Sequence, residues 1–170
     1  AGYRTIITGK WHQRPLPTTR GFDRYYGLAD GCCNYWNPGI KARPGEGEPG
    51  RKRTAPRRWA IEDQVIMGYT PEDKDFYTTD AFADYAIARL EEYKDESKPF
   101  LLYLPQTAPH YPLHAWPEDI AKYRGKYKIG WDTLRQQRYK RQIEMGMLDP
   151  KYAMSPRDEE VPSWDSLSDS

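Results

Sequence analysis

Thr5-Ile6-Ile7-Thr8 and Phe100-Leu101-Leu102-Tyr103-Leu104 are the two stretches on which a fold assignment turns. Each is short, continuous in apolar or β-branched residues, and free of polar alternation. That pattern belongs to strands covered on both faces, as the strands of parallel sheets are. Gly9 stops the first, and Lys98-Pro99 introduces the second. Between them Phe82, Tyr85, Ala86, Leu90 and Tyr93 recur at helical spacing, giving one apolar face to a helix that runs to about Tyr93. Thr78 or Thr79 can cap it, and Asp80 is favourable near its positive end. Strand, crossover helix and strand imply a right-handed βαβ unit. The fold class is therefore α/β, with a mostly parallel sheet flanked by helices.

Outward from this unit the chain is less regular. From Trp11 to about Trp59 it is rich in Gly, Pro and aromatic residues, with one short strand or turn expected over Gly21–Gly27. Lys41 to Arg58 is a hydrophilic insertion carrying seven basic residues against Glu46 and Glu48. Its Gly and Pro content disfavours a helix. It reads first as a solvated loop and second as a patch for an anionic partner. Gln106 to Pro117 is a Pro-containing loop, Asp119 to Tyr123 suits one helical turn, and Trp131 to Met147 suits a longer helix. Residues 148–170 are irregular and end acidic, and no internal repeat is visible.

Composition narrows the class. Of 170 residues, Leu, Ile, Val and Phe make only 25, below the roughly 20% under which a highly charged chain reads as disordered. The net charge is +1 and aromatics reach 14%, so disorder does not follow. The expectation is instead an internal portion of a larger folded protein, with Ala1-Gly2-Tyr3 entering a strand. No stretch approaches the roughly 18 apolar residues of a membrane span, and no signal peptide opens the chain. With an internal start expected, the compartment stays open. Near-neutral charge removes any global electrostatic case for nucleic acid. Cys32 and Cys33 are adjacent, where a disulfide is strained, so no disulfide framework exists.

Three histidines occur, His12, His110 and His114. His12 follows the first strand by four residues, with Lys10 beside it, and His110 follows Leu104 by six. In open α/β sheets ligands bind outside the carboxyl ends of the strands, so Lys10, His12 and His110 converge on one rim. On an extended segment, Lys10 and His12 would point the same way. An ammonium can neutralise a sulfate or phosphate oxygen, and an imidazole can protonate a departing oxygen. The types fit cleavage of an anionic ester. No activated Ser or Cys and no set at metal-ligand spacing stands out. Cys32-Cys33 reads as structural, and His114 as a hydrogen-bonded loop residue.

Ala1-Gly2-Tyr3-Arg4-Thr5 through Gly9-Lys10-Trp11-His12 resembles the second signature of the type I, formylglycine-dependent sulfatases. So do Arg20-Gly21-Phe22-Asp23 with Gly27, Tyr77-Thr78-Thr79-Asp80, Pro99–Leu104 and Ala108-Pro109-His110-Tyr111-Pro112-Leu113, in the family's order. Gly130-Trp131-Asp132 with Leu134-Arg135, and Pro162-Ser163-Trp164-Asp165, resemble the arylsulfatase branch.

The resemblance implies an alkaline-phosphatase-like fold, of which this chain, residues 1–170, is an internal portion of the catalytic domain. It implies hydrolysis of a sulfate ester, aryl sulfate or sulfated carbohydrate, through a hydrated formylglycine made from a Cys or Ser in C/S-x-P-x-R. It also implies a divalent cation, usually calcium. Neither that motif nor the family's metal-binding Asp and Asn residues is found here, so both are expected outside this chain, which alone should be inactive. Carried over residue by residue, Lys10 would contact the sulfate, His12 would act as a base, and His110 would bind sulfate and protonate the leaving alcohol. Gln13-Arg14 replaces the family's Leu-Gly after that signature. Family compartments are periplasmic, secreted or lysosomal. Two alternatives stand beside this: a phosphoesterase or phosphonate hydrolase of the same superfamily, and a non-catalytic anion-binding truncation.

Overall fold

The structure, a computed structural model, describes residues 2–39 and 56–168. The basic stretch over 41–58 therefore lies outside the described residues except for its last three, and so do the last two residues of the acidic tail. The chain forms two compact units, Ala1–His114 and Ala115–Ser170.

The first unit is a five-stranded sheet in the order β4-β3-β2-β1-β5. Its strands are β1 (Arg4–Thr8), β2 (Arg24–Leu28), β3 (Arg58–Ile61), β4 (Gln64–Met67) and β5 (Phe100–Tyr103). β1 lies at the centre of the parallel part, paired with β2 through Ile7↔Tyr25 and with β5 through Ile6↔Leu102. The helix α1 (Thr78–Tyr93) precedes β5. The expected strand–helix–strand order is present, and the expected strand near Gly21–Gly27 is β2. The antiparallel hairpin β3–β4 was not foreseen. Glu62, at the turn with φ 55, fixes it: its carboxylate accepts from the Tyr25 N–H at 3.0 Å and from the Tyr85 hydroxyl at 2.5 Å.

Pleating sorts the core into two layers. On one face Tyr26 and Trp59 meet α1, with Trp59 stacked on Phe82 at 5.6 Å and Tyr26 on Tyr85 at 4.9 Å. Thr8, fully buried, donates its hydroxyl to the Phe82 carbonyl at 3.2 Å. On the other face Ile7, Tyr25 and Ala60 are covered by Trp11, Leu16 and Phe22 rather than by a helix. The Gly-Phe-Asp run has a local purpose: Asp23 Oδ2 accepts from the Thr5 N–H at 2.9 Å and so anchors the start of β1.

Three expectations need correction. Neither Thr78 nor Thr79 caps α1: Tyr77 occupies that position with no side-chain cap bond, because Thr78 is already helical and fully buried. The second apolar stretch is not covered on both faces. Phe100, Leu101, Tyr103 and Leu104 are exposed, because β5 is the edge strand and α1 packs chiefly on β1 and β2. His12 has φ 58, so the segment after β1 is not extended at that residue.

In the second unit α2 spans Pro117–Ala121 and α3 spans Trp131–Glu144. Here the Gly-Trp-Asp run and the Trp-Asp run are partners: Trp131 and Trp164 meet edge-to-face at 5.0 Å. Arg135 donates to the Ser155 carbonyl at 2.7 Å, and Arg157 pairs with Asp132 at 2.9 Å. α3 has no fully buried residue. Among the described residues no helix is long and apolar enough to cross a membrane.

Two outcomes follow. Trp59→Ala should destabilise the first unit by about 3–5 kcal/mol, the usual cost of emptying a large aromatic site, measured by denaturant titration. The 170-residue chain should self-associate through β5, an apolar unpaired edge, and Leu101→Lys should shift it toward monomer in size-exclusion chromatography.

Candidate active site

The rim of the sheet is built by backbone before any side chain acts. Leaving β1, Gly9 N–H donates to Tyr26 O at 2.9 Å, Lys10 N–H to Pro105 O at 2.8 Å, and Trp11 N–H to Leu28 O at 2.8 Å. The chain thus bonds alternately to the ends of β2 and β5. Gly9 and Gly27 make this possible, with φ of 134 and 145. A Cβ on Gly9 would penetrate the Pro105 carbonyl, and one on Gly27 the Gly9 carbonyl. Lys10 therefore emerges between the two neighbouring strands. It is half-buried, and among the described residues it makes no ion pair.

Trp11, next along, serves the fold: its Nε1 donates to Pro15 O at 2.8 Å and its ring meets Phe22 edge-on at 6.4 Å. His12 then turns into the left-handed region, a conformation that a non-glycine residue holds only when its surroundings enforce it. Its ring sits against Gly31, where an added Cβ would come within 2.5 Å of Nε2. His12 is thus seated against the loop after β2.

His110 reaches the rim from the loop after β5. Its backbone is held on both sides: its N–H donates to Thr107 O at 3.0 Å, and its carbonyl accepts from the Tyr35 hydroxyl at 2.6 Å. Tyr35 is buried, and burial pushes its phenol well above the ordinary range, so it stays a donor. The exposed His110 ring donates from Nδ1 to Tyr111 O at 2.6 Å, since a carbonyl can only accept. That leaves Nε2 to exchange a proton.

His114 is different. It is buried, and its Nδ1 accepts from the Tyr35 N–H at 3.3 Å, in line with a structural role. Cys32 and Cys33 are both free thiols. Burial, then the neighbouring Cys32, push the Cys33 thiol up to about 12, against the pull of Arg57 and Lys10. Cys33 is therefore not a thiolate near neutral pH and not a nucleophile. Among the described residues no group of three or more His, Cys, Asp or Glu is placed to hold a metal ion; the calcium ligands that the resemblance implies are expected outside this chain.

The structure thus brings Lys10 and the His110 loop to adjoining strand ends, and His12 onto the loop after β2. Sequence reading missed Tyr35 and Gly31, which position His110 and His12. Their signal was the aromatic density of Asn34-Tyr35-Trp36 inside a presumed loop, a pattern that predicts burial but names no partner.

Residues 1–159 match the sequence profile of the family described as Sulfatase. An uncharacterised sulfatase of Schizosaccharomyces pombe is 33% identical over 99% of this chain and 30% of its own length. An arylsulfatase of Klebsiella aerogenes is 27% identical over 99% of this chain and 34% of its own. The chain thus spans about a third of these relatives. The crystal structure of Ps i-CgsB in complex with k-i-k-neocarrahexaose superposes with a TM-score of 0.52 at 30% identity, covering 72% of this chain and 27% of that one.

Gly31→Ala should displace the His12 ring without straining its own backbone. The expected outcome is a Tm within a few degrees of the parent and a marked change in the His12 imidazole NMR signals. Tyr35→Phe removes the bond to the His110 carbonyl and should cost about 1 kcal/mol of stability, read by thermal melting, with the His110 loop exchanging its amide hydrogens faster.

Proposed function

This chain belongs to the sulfatase family, and from that premise we propose that it is an internal portion of the catalytic domain of a sulfuric ester hydrolase acting on a sulfated carbohydrate. The observation that carries the reading is the 2.8 Å bond from Lys10 N–H to Pro105 O, which sets a lysine with no ion pair among the described residues beside the loop that presents His110. Support for a carbohydrate comes from Ps i-CgsB, solved with a neocarrahexaose.

In this reading the Lys10 ammonium neutralises a sulfate oxygen. His110 holds one proton on Nδ1 against the Tyr111 carbonyl and delivers another from Nε2 to the departing alcohol. His12, seated on Gly31, serves as the base in the second half of the reaction. The family's formylglycine supplies the nucleophile when present. No Cys or Ser of this chain precedes x-Pro-x-Arg, so that group is assigned to sequence outside residues 1–170.

The test is to express the coding sequence with its flanks and assay sulfate and phosphate esters in parallel. Sulfate release from a sulfated disaccharide is expected, with phosphate esters turned over far more slowly. The reverse preference, or the lack of a C/S-x-P-x-R upstream, would overturn the reading. Lys10→Ala should lower kcat/KM by about 10³-fold, the scale for losing one stabiliser of developing charge. His110→Ala should lower kcat by about 10²–10⁴-fold on the disaccharide, whose alcohol needs a proton, and much less on an aryl sulfate with a phenolate leaving group.

A further inference from the structure

Arg57 and Arg58 are adjacent in sequence and opposite in circumstance. Arg58 is neutralised by Asp30, the one carboxylate among the described residues of the loop after β2: its N–H donates to Asp30 Oδ2 at 2.7 Å and its Nε to Asp30 Oδ1 at 2.9 Å. A third bond runs from Nη2 to Ala29 O at 3.2 Å. Arg57 is half-buried too, yet has no carboxylate among the described residues. Its Nη2 donates to Cys32 Sγ at 3.5 Å, and its Nε is buried with no acceptor. A thiol is a weak acceptor and carries no charge. A buried Nε without an acceptor carries a desolvation cost that a bound anion would offset.

The position of Arg57 is fixed. Its carbonyl accepts from the Gly68 N–H at 2.9 Å, tying it to the hairpin β3–β4. The loop it touches is the one that seats His12 and presents Tyr35 to His110. Lys10 acts on the same segment, since Arg57 and Lys10 both pull on the Cys33 thiol. That loop adds a further donor without an acceptor, Asn34 Nδ2, while Asn34 Oδ1 already accepts from the Trp36 and Asn37 N–H groups at 2.9 and 3.1 Å. Two cations on one rim segment, with its only carboxylate among the described residues consumed, leave a surplus of donors.

We propose that Arg57 forms an anion subsite beside Lys10, taking a second anionic substituent of the saccharide, sulfate or carboxylate, while the scissile sulfate lies at Lys10 and His110. This rests on the sulfate-ester reading above. The planar fork of Arg57 suits bidentate contact with either group.

The experiment uses the full-length protein and calorimetric titration with three disaccharides: monosulfated, disulfated, and monosulfated with a uronate. The wild type should bind at least one dianionic ligand about 10-fold more tightly than the monosulfated one, the scale of one charge-assisted bond pair. Whichever dianion is preferred identifies the second group. Arg57→Gln should erase that preference, Arg57→Lys should keep part of it, and Cys32→Ser should retain it. A wild type with no preference for dianions overturns the proposal without any variant. So does a preference that survives Arg57→Gln, including uniform weakening of all three ligands. Sulfate release from the monosulfated disaccharide is scored separately, so failure of the sulfatase reading and failure of the subsite are distinguishable.

Discussion

Three backbone hydrogen bonds just beyond β1 organise the rest of the first unit. Gly9, Lys10 and Trp11 donate in turn to the ends of β2, β5 and β2 again. The bonds require the chain to pass so close to Pro105 and Gly27 that neither Gly9 nor Gly27 can carry a side chain. That close approach puts a cation at the junction of two parallel strands. It also stops the sheet from continuing and turns the next residues onto its rim.

The core serves this junction from below. Thr8 is tied to α1 through the Phe82 carbonyl, and the aromatic layer of Tyr26, Trp59, Phe82 and Tyr85 locks helix to sheet. On the opposite face Trp11, Leu16 and Phe22 fold back over Ile7, Tyr25 and Ala60. The tryptophan between Lys10 and His12 is therefore a packing residue flanked by two candidate site residues. Aromatic stacking does here what aliphatic residues do in most cores, and this accounts for a low Leu, Ile, Val and Phe content in a folded unit.

Much of this was legible in the sequence. β1, α1 and β5 are local patterns, a run of β-branched residues or a 3.6-residue period, and each depends on residues within one short window. The placement of Lys10 and the His110 loop beyond the ends of β1 and β5 was legible for the same reason, because position relative to a strand end is a local property. The hairpin β3–β4 was not. Gln64, Val65, Ile66 and Met67 pair with β3 across a turn whose Glu62 reaches back to Tyr25 and Tyr85, and no short window of sequence contains all three. The exposure of β5 was equally hidden, since an apolar run looks the same whether or not a neighbour covers it.

The sequence by itself determined the element order, the family signature, and which residue types stand after which strands, since these depend on neighbours along the chain. Only the tertiary structure decided which charges are spent. Arg57 and Arg58 are indistinguishable as letters. Asp30, which lies 28 residues from Arg58, neutralises that one and, among the described residues, leaves the other with a thiol. Likewise His12, His110 and His114 are one residue type in three states: one seated on a glycine, one held through its carbonyl, one buried as an acceptor. Partners that are distant in sequence set charge and proton position, because electrostatic and hydrogen-bond energies depend on separation in space.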